Sequence, residues 1–266
     1  MKKLIITVSS ILLFWGMTQA QNNSAEVQQK GSMQDAVVQQ MGEGNDLSVS
    51  QMYDFNYAWV SQESNESGSA NATVGQEVTS GQSSDESGHE VRLKQVGNNK
   101  ADISQLGFGN IVSGYSEGEY ALQHNLGQTN TLFVIQKTGW SVTGVEQRDG
   151  GNEAFITQSD GENLGVLLLQ NSERSSADVT QTGNHSSVDV QQTGEGGHNV
   201  SINQGLAGGG DGDQHGIIYQ DGYGHEAVLS QWGNANAATI MQYVSSSTAS
   251  VTQEGRSNTA SINQDN

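Results

Sequence analysis

The sequence predicts an all-β fold, a β-solenoid of stacked strand–turn–strand coils of about 22 residues each, with amyloid-like cross-β spacing. Three observations predict it. A glutamine returns every eleven residues, small and apolar residues alternate at period two between successive glutamines, and proline is absent from all 266 residues.

The glutamines come first because they set the frame. One run is Gln29, Gln40, Gln51 and Gln62. A second is Gln136, Gln147, Gln158, Gln170, Gln181, Gln192 and Gln204, and a third is Gln220, Gln231, Gln242, Gln253 and Gln264. Fixed self-similarity of this kind is the mark of a solenoid or stacked array. It also separates the chain from a low-complexity glutamine tract, which has composition without phase.

Alignment of the eleven-residue units on their first glutamine shows what each position requires. Nine residues on stands Val, Ile or Leu in every unit, as in Val38, Val60, Ile156, Leu229 and Ile262. Seven residues on is most often Ala, and five on is mostly Asn or Ser, including Asn45, Asn56, Asn152, Asn236, Asn258, Ser175 and Ser247. Positions five, seven, nine and eleven share one face of a strand, so that face reads Asn/Ser, Ala, Val/Ile, Gln. No unit has a charge there, while the alternate face holds variable polar and aromatic residues such as Asp46, Tyr57, Trp59, Glu146 and Thr239. Two residues after the glutamine, Gly31, Gly42, Gly183, Gly222, Gly233 and Gly255 permit a tight turn.

Two units make one coil. The small inward Ala leaves room for the Val or Ile of the opposite sheet, and coils stack at ~4.7–4.9 Å. Inward Asn and Gln then stand over one another and are expected to form amide ladders along the axis. Such ladders order a chain whose hydrophobic fraction is only 33%, because buried amides that bond each other carry no desolvation penalty. Proline, which removes a backbone donor, is expelled from paired strands, and its absence argues for pairing through nearly the whole chain.

Charge excludes some function classes. With 29 Asp+Glu against 10 Lys+Arg, the chain has no basic surface for nucleic acid. The same repulsion slows premature self-association. There is no cysteine, so no disulfide staples the fold.

Residues 1–20 are set apart from the fold. Lys2 and Lys3, the apolar run Leu4 to Trp15, and Thr18-Gln19-Ala20 have the form of a secretory signal peptide cleaved after Ala20. The apolar run is too short for a membrane span. The organisation expected is therefore a signal peptide, 1–20, followed by a repeat solenoid, 21–266. Phase is lost near 63–90, 110–128 and 205–216, and these Ser/Gly-rich stretches are expected to be loops or irregular coils.

The repeat resembles that of the curlin family of bacterial curli fimbriae: Ser, five residues, Gln-x-Gly-x-x-Asn-x-Ala, three residues, Gln. Ser247, Gln253, Gly255, Asn258, Ala260 and Gln264 fit it throughout. Gln231, Gly233, Asn236, Ala238 and Gln242 fit its second half, and Ser141, Gln147, Asn152, Ala154 and Gln158 fit except that Asp149 stands in place of Gly. The resemblance implies a secreted subunit of extracellular amyloid fibres that serve biofilm matrix and adhesion. It also implies as partners further copies of the chain, a nucleating subunit, and an outer-membrane secretion pore with chaperones.

Candidate chemistry is sparse. Acids lie in turns and on the outward face, where they blunt sheet edges and do not form the carboxylate pair of a hydrolase. Gly208-Gly209-Gly210-Asp211-Gly212-Asp213 resembles a calcium turn of a nonapeptide β-roll, but as a single copy it reads as a loop. His89, His124, His185, His198, His215 and His225 show no metal-ligand spacing, and His225 occupies an inward Asn position where it can bond in the same way. Tyr57 and Trp59 point outward, for lateral stacking between fibrils or simply for strand propensity. No enzyme activity, cofactor or metal is expected. The alternative to a fibre subunit is a monomeric secreted β-solenoid that serves as an adhesin or ligand-binding surface.

Overall fold

The computed structural model describes residues 22–64, 69–78, 88–114, 120–125, 128–205 and 212–265. These form a stack of two-strand coils in chain order. The first coil is β1 (Ser24–Lys30) with β2 (Asp35–Met41), the second β3 (Asp46–Met52) with β4 (Tyr57–Glu63), and the third β5 (Asn71–Val78) with β6 (Glu90–Val96). The fourth pairs β7 (Asn99–Gly107) with two short strands that share one rung, β8 (Ile111–Ser113) and β9 (Ala121–His124). Then follow β10 (Asn130–Gly139) with β11 (Val142–Arg148), β12 (Glu153–Glu162) with β13 (Gly165–Asn171), and β14 (Ser176–Thr182) with β15 (Ser187–Gly196). The last three coils are β16 (Asn199–Gly205) with β17 (His215–Tyr223), β18 (Glu226–Asn234) with β19 (Ala237–Tyr243), and β20 (Thr248–Arg256) with β21 (Thr259–Asp265).

The first strand of each coil joins a sheet of 10 strands and the second a sheet of 11, with every pairing parallel and each strand bonded to its counterpart one coil away. Parallel strands joined by short arcs satisfy the backbone only by stacking, so no coil can be ordered alone. The expected all-β solenoid is what forms.

The inward faces are those read from the repeat. Leu47, Val49, Val60, Ile103, Val134, Ile156, Leu168, Val190, Ile202 and Ile240 are essentially inaccessible, with Ala58, Ala101, Ala154, Ala177 and Ala227 between them. These residues form one continuous core. Among the described residues no Asp, Glu, Lys or Arg is buried.

The stretch near 63–90 differs from the expected irregular coil. It contains β5, which pairs in register with β3 and places Gln76 beside Gln51. The stretch near 110–128 likewise contains β8 and β9, with Gln123 in line with Gln95 and Gln147. The insertions sit in arcs between strands, so they disturb the spacing along the chain without disturbing the rung. The expected signal peptide and most of the loop from Gly208 to Asp213 lie outside the described residues.

Six turn glycines, Gly31, Gly42, Gly183, Gly222, Gly233 and Gly255, all have positive φ. Asp149, in the place of a seventh, takes φ 63° itself. Gly233 shows why the position is restrictive: at φ 113° a Cβ would lie 2.1 Å from the carbonyl oxygen of Gly255 in the next coil.

Candidate functional site: the axial amide ladders

The glutamine side chain enters the core from one strand and reaches toward the opposite sheet. Its amide has two N–H groups and one oxygen, and in most rungs within the stack all three find partners. One N–H crosses the core to a backbone carbonyl of the facing strand: Gln51 to Asp35 at 3.1 Å, Gln147 to Thr131 at 3.1 Å, Gln231 to His215 at 3.3 Å, and Gln253 to Ala237 at 3.0 Å. The other N–H donates to the Oε1 of the glutamine one coil further on.

In the first sheet this chain of bonds runs without a break through Gln29, Gln51, Gln76, Gln105, Gln136, Gln158, Gln181, Gln204, Gln231 and Gln253, at 2.7–3.0 Å. In the second sheet it runs through Gln40, Gln62, Gln95, Gln123, Gln147, Gln170, Gln192, Gln220, Gln242 and Gln264, at 2.8–3.1 Å. Gln76, Gln95, Gln105 and Gln123 were invisible to the eleven-residue spacing; the ladder finds them by register. All of these bonds point the same way, from the N-terminal coil to the C-terminal one. A flipped amide would present its oxygen to the cross-core carbonyls, so the backbone fixes the direction.

The asparagines work differently from the expected side-chain ladder. Their Nδ2 donates to the carbonyl four residues earlier: Asn45 to Met41 at 2.8 Å, Asn56 to Met52 at 2.9 Å, Asn152 to Arg148 at 2.6 Å, Asn236 to Trp232 at 3.1 Å, and Asn258 to Glu254 at 2.8 Å. Their Oδ1 accepts a backbone N–H from the next coil, as Asn152 does from Ser175 at 2.9 Å and Asn236 from Asn258 at 3.1 Å. Lacking one methylene, asparagine reaches the neighbouring main chain where glutamine reaches the neighbouring amide. It ties the arc shut.

Three histidines take the same post. His225 contacts the Asp221 carbonyl at 3.0 Å and His198 that of Thr193 at 2.7 Å, each through Nε2, and the Nδ1 of His198 accepts the His225 backbone N–H at 3.3 Å. Their rings stack with centroids 5.2 Å apart and planes 4° from parallel. His89 bonds the Glu77 carbonyl and accepts from Asn110. Burial pushes its pKa down to about 4, with the Glu77 carbonyl opposing. His198 is lowered as well, first by burial, with the Thr193 carbonyl opposing and His225 adding to the fall. An Nδ1 that must accept a main-chain N–H belongs to a neutral ring.

Both ladders stop at the ends of the stack. Among the described residues Gln253 and Gln264 have no further coil to which to donate, and Gln29 and Gln40 accept from none. Residues 20–52, a range that includes β1, β2 and β3, match the family model of the curlin associated repeat. That segment is similar to a curlin repeat. The register seen in those strands is carried, rung on rung, through the later coils. No curated protein matches the chain. Among the described residues no cluster of His, Cys, Asp or Glu is placed to hold a metal ion, and no helix is long and apolar enough to cross a membrane.

Trp59, expected to face outward, does so, half-buried with its ring 4.0 Å from that of Tyr120.

Proposed function

We propose that this chain is a structural, non-enzymatic subunit of curli-type extracellular amyloid fibres, exported from a bacterium, that assembles by adding copies to the ends of its stack. The observation that carries the reading is the unbroken, one-way pair of amide ladders with open ends. Gln253 and Gln264 offer amide N–H groups at one end, and Gln29 and Gln40 offer Oε1 atoms at the other. A second copy set below the first continues both ladders and both sheets in one step.

The sheet edges support the same reading. β1 and β2 at one end and β20 and β21 at the other each have a strand on one side only. Open edges of this kind template further strands unless something blunts them. The partners that the curlin repeat implies are copies of the chain, a nucleating subunit, and a secretion pore with chaperones. The leader at residues 1–20 would deliver the chain to that route, with the fibre serving biofilm matrix and adhesion.

The test is seeded growth of the chain from Gln21 to Asn266, followed with an amyloid dye and by fibre diffraction. Reflections near ~4.7 and ~10 Å with seeded kinetics are expected. A chain that stays monomeric and β-rich when seeded refutes polymerisation and leaves the secreted adhesin as the reading.

A further inference from the structure

Register along the stack shows how this chain disposes its charges. It has 29 acids and 10 bases, yet wherever one described strand pairs with the next, no Asp, Glu, Lys or Arg stands directly over another. Neutral residues separate them: Lys30 faces Met52, Asp46 faces Asn71, Glu153 lies between Thr131 and Ser176, and Glu254 faces Trp232. Like charges directly opposite destabilise a strand pair, so the spacing suits a strongly acidic stack.

Continuing both glutamine ladders into a second copy sets the register between copies. Gln253 then faces Gln29 of the next copy and Gln264 faces its Gln40, so β20 runs along its β1 and β21 along its β2. Glu26 meets Ser250, Asp35 meets Thr259 and Asp265 meets Met41. One pair alone sets charge over charge, and its signs are opposite: Glu254 over Lys30, both exposed. The same step covers Val27, Ala36 and Val38 at one end and Ala260 and Ile262 at the other, which the single molecule leaves half-buried.

The arc that leads into β1 points to the same neighbour independently. Asn236 divides its Nδ2 group between two carbonyls, that of Trp232 four residues earlier at 3.1 Å and that of Gly255 in the next coil at 3.3 Å. Asn23 makes the second kind of bond, to Gly42 at 2.9 Å, and its Oδ1 accepts the Asn45 N–H at 2.9 Å. The first kind has no counterpart among the described residues, because the residue four before Asn23 is Gln19, in the expected leader. In the ladder register Asp265 of the preceding copy follows Gln264 as Trp232 follows Gln231. Its carbonyl therefore stands to Asn23 as the Trp232 carbonyl stands to Asn236.

We infer that successive copies of this chain meet at a keyed seam, in which Glu254 pairs with Lys30 of the next copy and Asn23 closes its arc on the Asp265 carbonyl of the preceding one. The inference rests on the fibre reading above. The inward pattern of Ala, Val and Gln recurs in every coil and does not by itself say which strand an open edge receives. The charge pair and the shared arc do, and both select a second copy of this chain.

The experiment measures seeded elongation of the chain from Gln21 to Asn266 by dye kinetics, with a thermal melt of each unassembled variant. Lys30→Glu and Glu254→Lys each set like charges together at the seam, and each is expected to elongate about fivefold more slowly than wild type at low salt. Glu254→Lys is the sharper case, because it lowers the net negative charge and bulk repulsion alone predicts faster growth. The double variant Lys30→Glu/Glu254→Lys restores an opposite pair and is expected to return to within about twofold of wild type. Lys137→Glu, the same charge change in the same column but over Ser159 inside the stack, is expected to stay within about twofold. The losses are expected to fade in about 1 M salt, where screening acts over ~3 Å. Asn23→Asp keeps an oxygen for Asn45 and removes the N–H groups, and is expected to slow elongation about tenfold with the monomer still folded. Single charge variants that grow at the wild-type rate, a Glu254→Lys chain that grows faster, or a double variant no faster than its parents would each overturn the charge key while fibres still form. Wild-type growth of Asn23→Asp overturns the shared arc. If the wild-type chain forms no fibre, the fibre reading falls and the seam with it, and the dye trace tells that case from the others.

Discussion

A buried glutamine amide is useful only when every one of its polar atoms is matched. Gln158 accepts from Gln136 at 2.9 Å and from the Thr143 hydroxyl at 3.0 Å, and donates to Gln181 at 2.9 Å. Gln158→Leu removes those partners at once, leaves the Gln181 oxygen bare in a dry core, and leaves the Gln136 amide to Ile111, Ser141 and the Thr143 hydroxyl at 3.1–3.3 Å. The expected cost is about 2–4 kcal/mol, dominated by unpaired groups and not by the lost bonds themselves. Gln264→Leu, at the half-buried end of the second ladder, breaks a single axial bond and is expected to cost under about 1 kcal/mol. Urea midpoints, with amide exchange in β12 and β14, distinguish the two; equal losses would mean that the ladder is not cooperative. The asparagine role was harder to read from sequence. Spacing places Asn45 or Asn236 on the inward face but does not say whether an amide one methylene shorter reaches its counterpart or the main chain.

At the scale of strand and arc, the strands were legible and the arcs were not. A strand is fixed by alternation over seven residues or so, and each buried position admits few side chains, so Asn, Ala, Val and Gln recur in phase. An arc lies on the surface and tolerates insertion. The separation between stacked glutamines is therefore 22 residues from Gln29 to Gln51 but 31 from Gln105 to Gln136 and 33 from Gln62 to Gln95. Counting along the chain loses Gln76, Gln95, Gln105 and Gln123 at those insertions. The pairing of Phe133 with Phe155 was equally hidden, because they become neighbours only once the register is known. The arcs also carry the acid sensitivity. His89 holds its arc as a neutral ring with a pKa near 4, against 6.5 when unfolded. Above 6.5 both states are neutral and pH has no effect through this group. As pH falls from 6.5 toward 4 the unfolded chain gains a proton that the folded chain refuses, so stability declines, by about 3 kcal/mol in all. His89→Asn restores the residue used in other arcs and is expected to remove that share of the slope. Denaturant midpoints from pH 7 to pH 4 check it, and parallel profiles for the two proteins would refute it.

At the scale of the molecule, the ends are defined by what they lack. Gly233 and Gly255 occupy equivalent places in successive coils, at φ 113° and 105°. A Cβ on Gly233 would meet the next coil 2.1 Å away, whereas one on Gly255 meets nothing closer than the Asn258 amide at 3.7 Å. Gly233→Ala is expected to destabilise the fold by several kcal/mol, as an uncompensated clash does. Gly255→Ala costs only the left-handed backbone, about 1 kcal/mol. In a head-to-tail stack Gly255 lies under the first coil of the next copy, so the same alanine is expected to slow elongation sharply while the monomer stays folded. Elongation rates and thermal melts of both variants test this, and unimpaired growth of Gly255→Ala would refute stacking in this register. The single direction of the ladders has a further consequence. Backbone dipoles across a sheet largely cancel, but the two columns of side-chain amides do not, since every one points its N–H toward the C-terminal coil. The solenoid is thus a small electret, positive at the end that bears Gln253 and Gln264 and negative at the end that bears Gln29 and Gln40. Copies joined in sequence would add their moments, and a long fibre would have a north and a south as surely as it has a length.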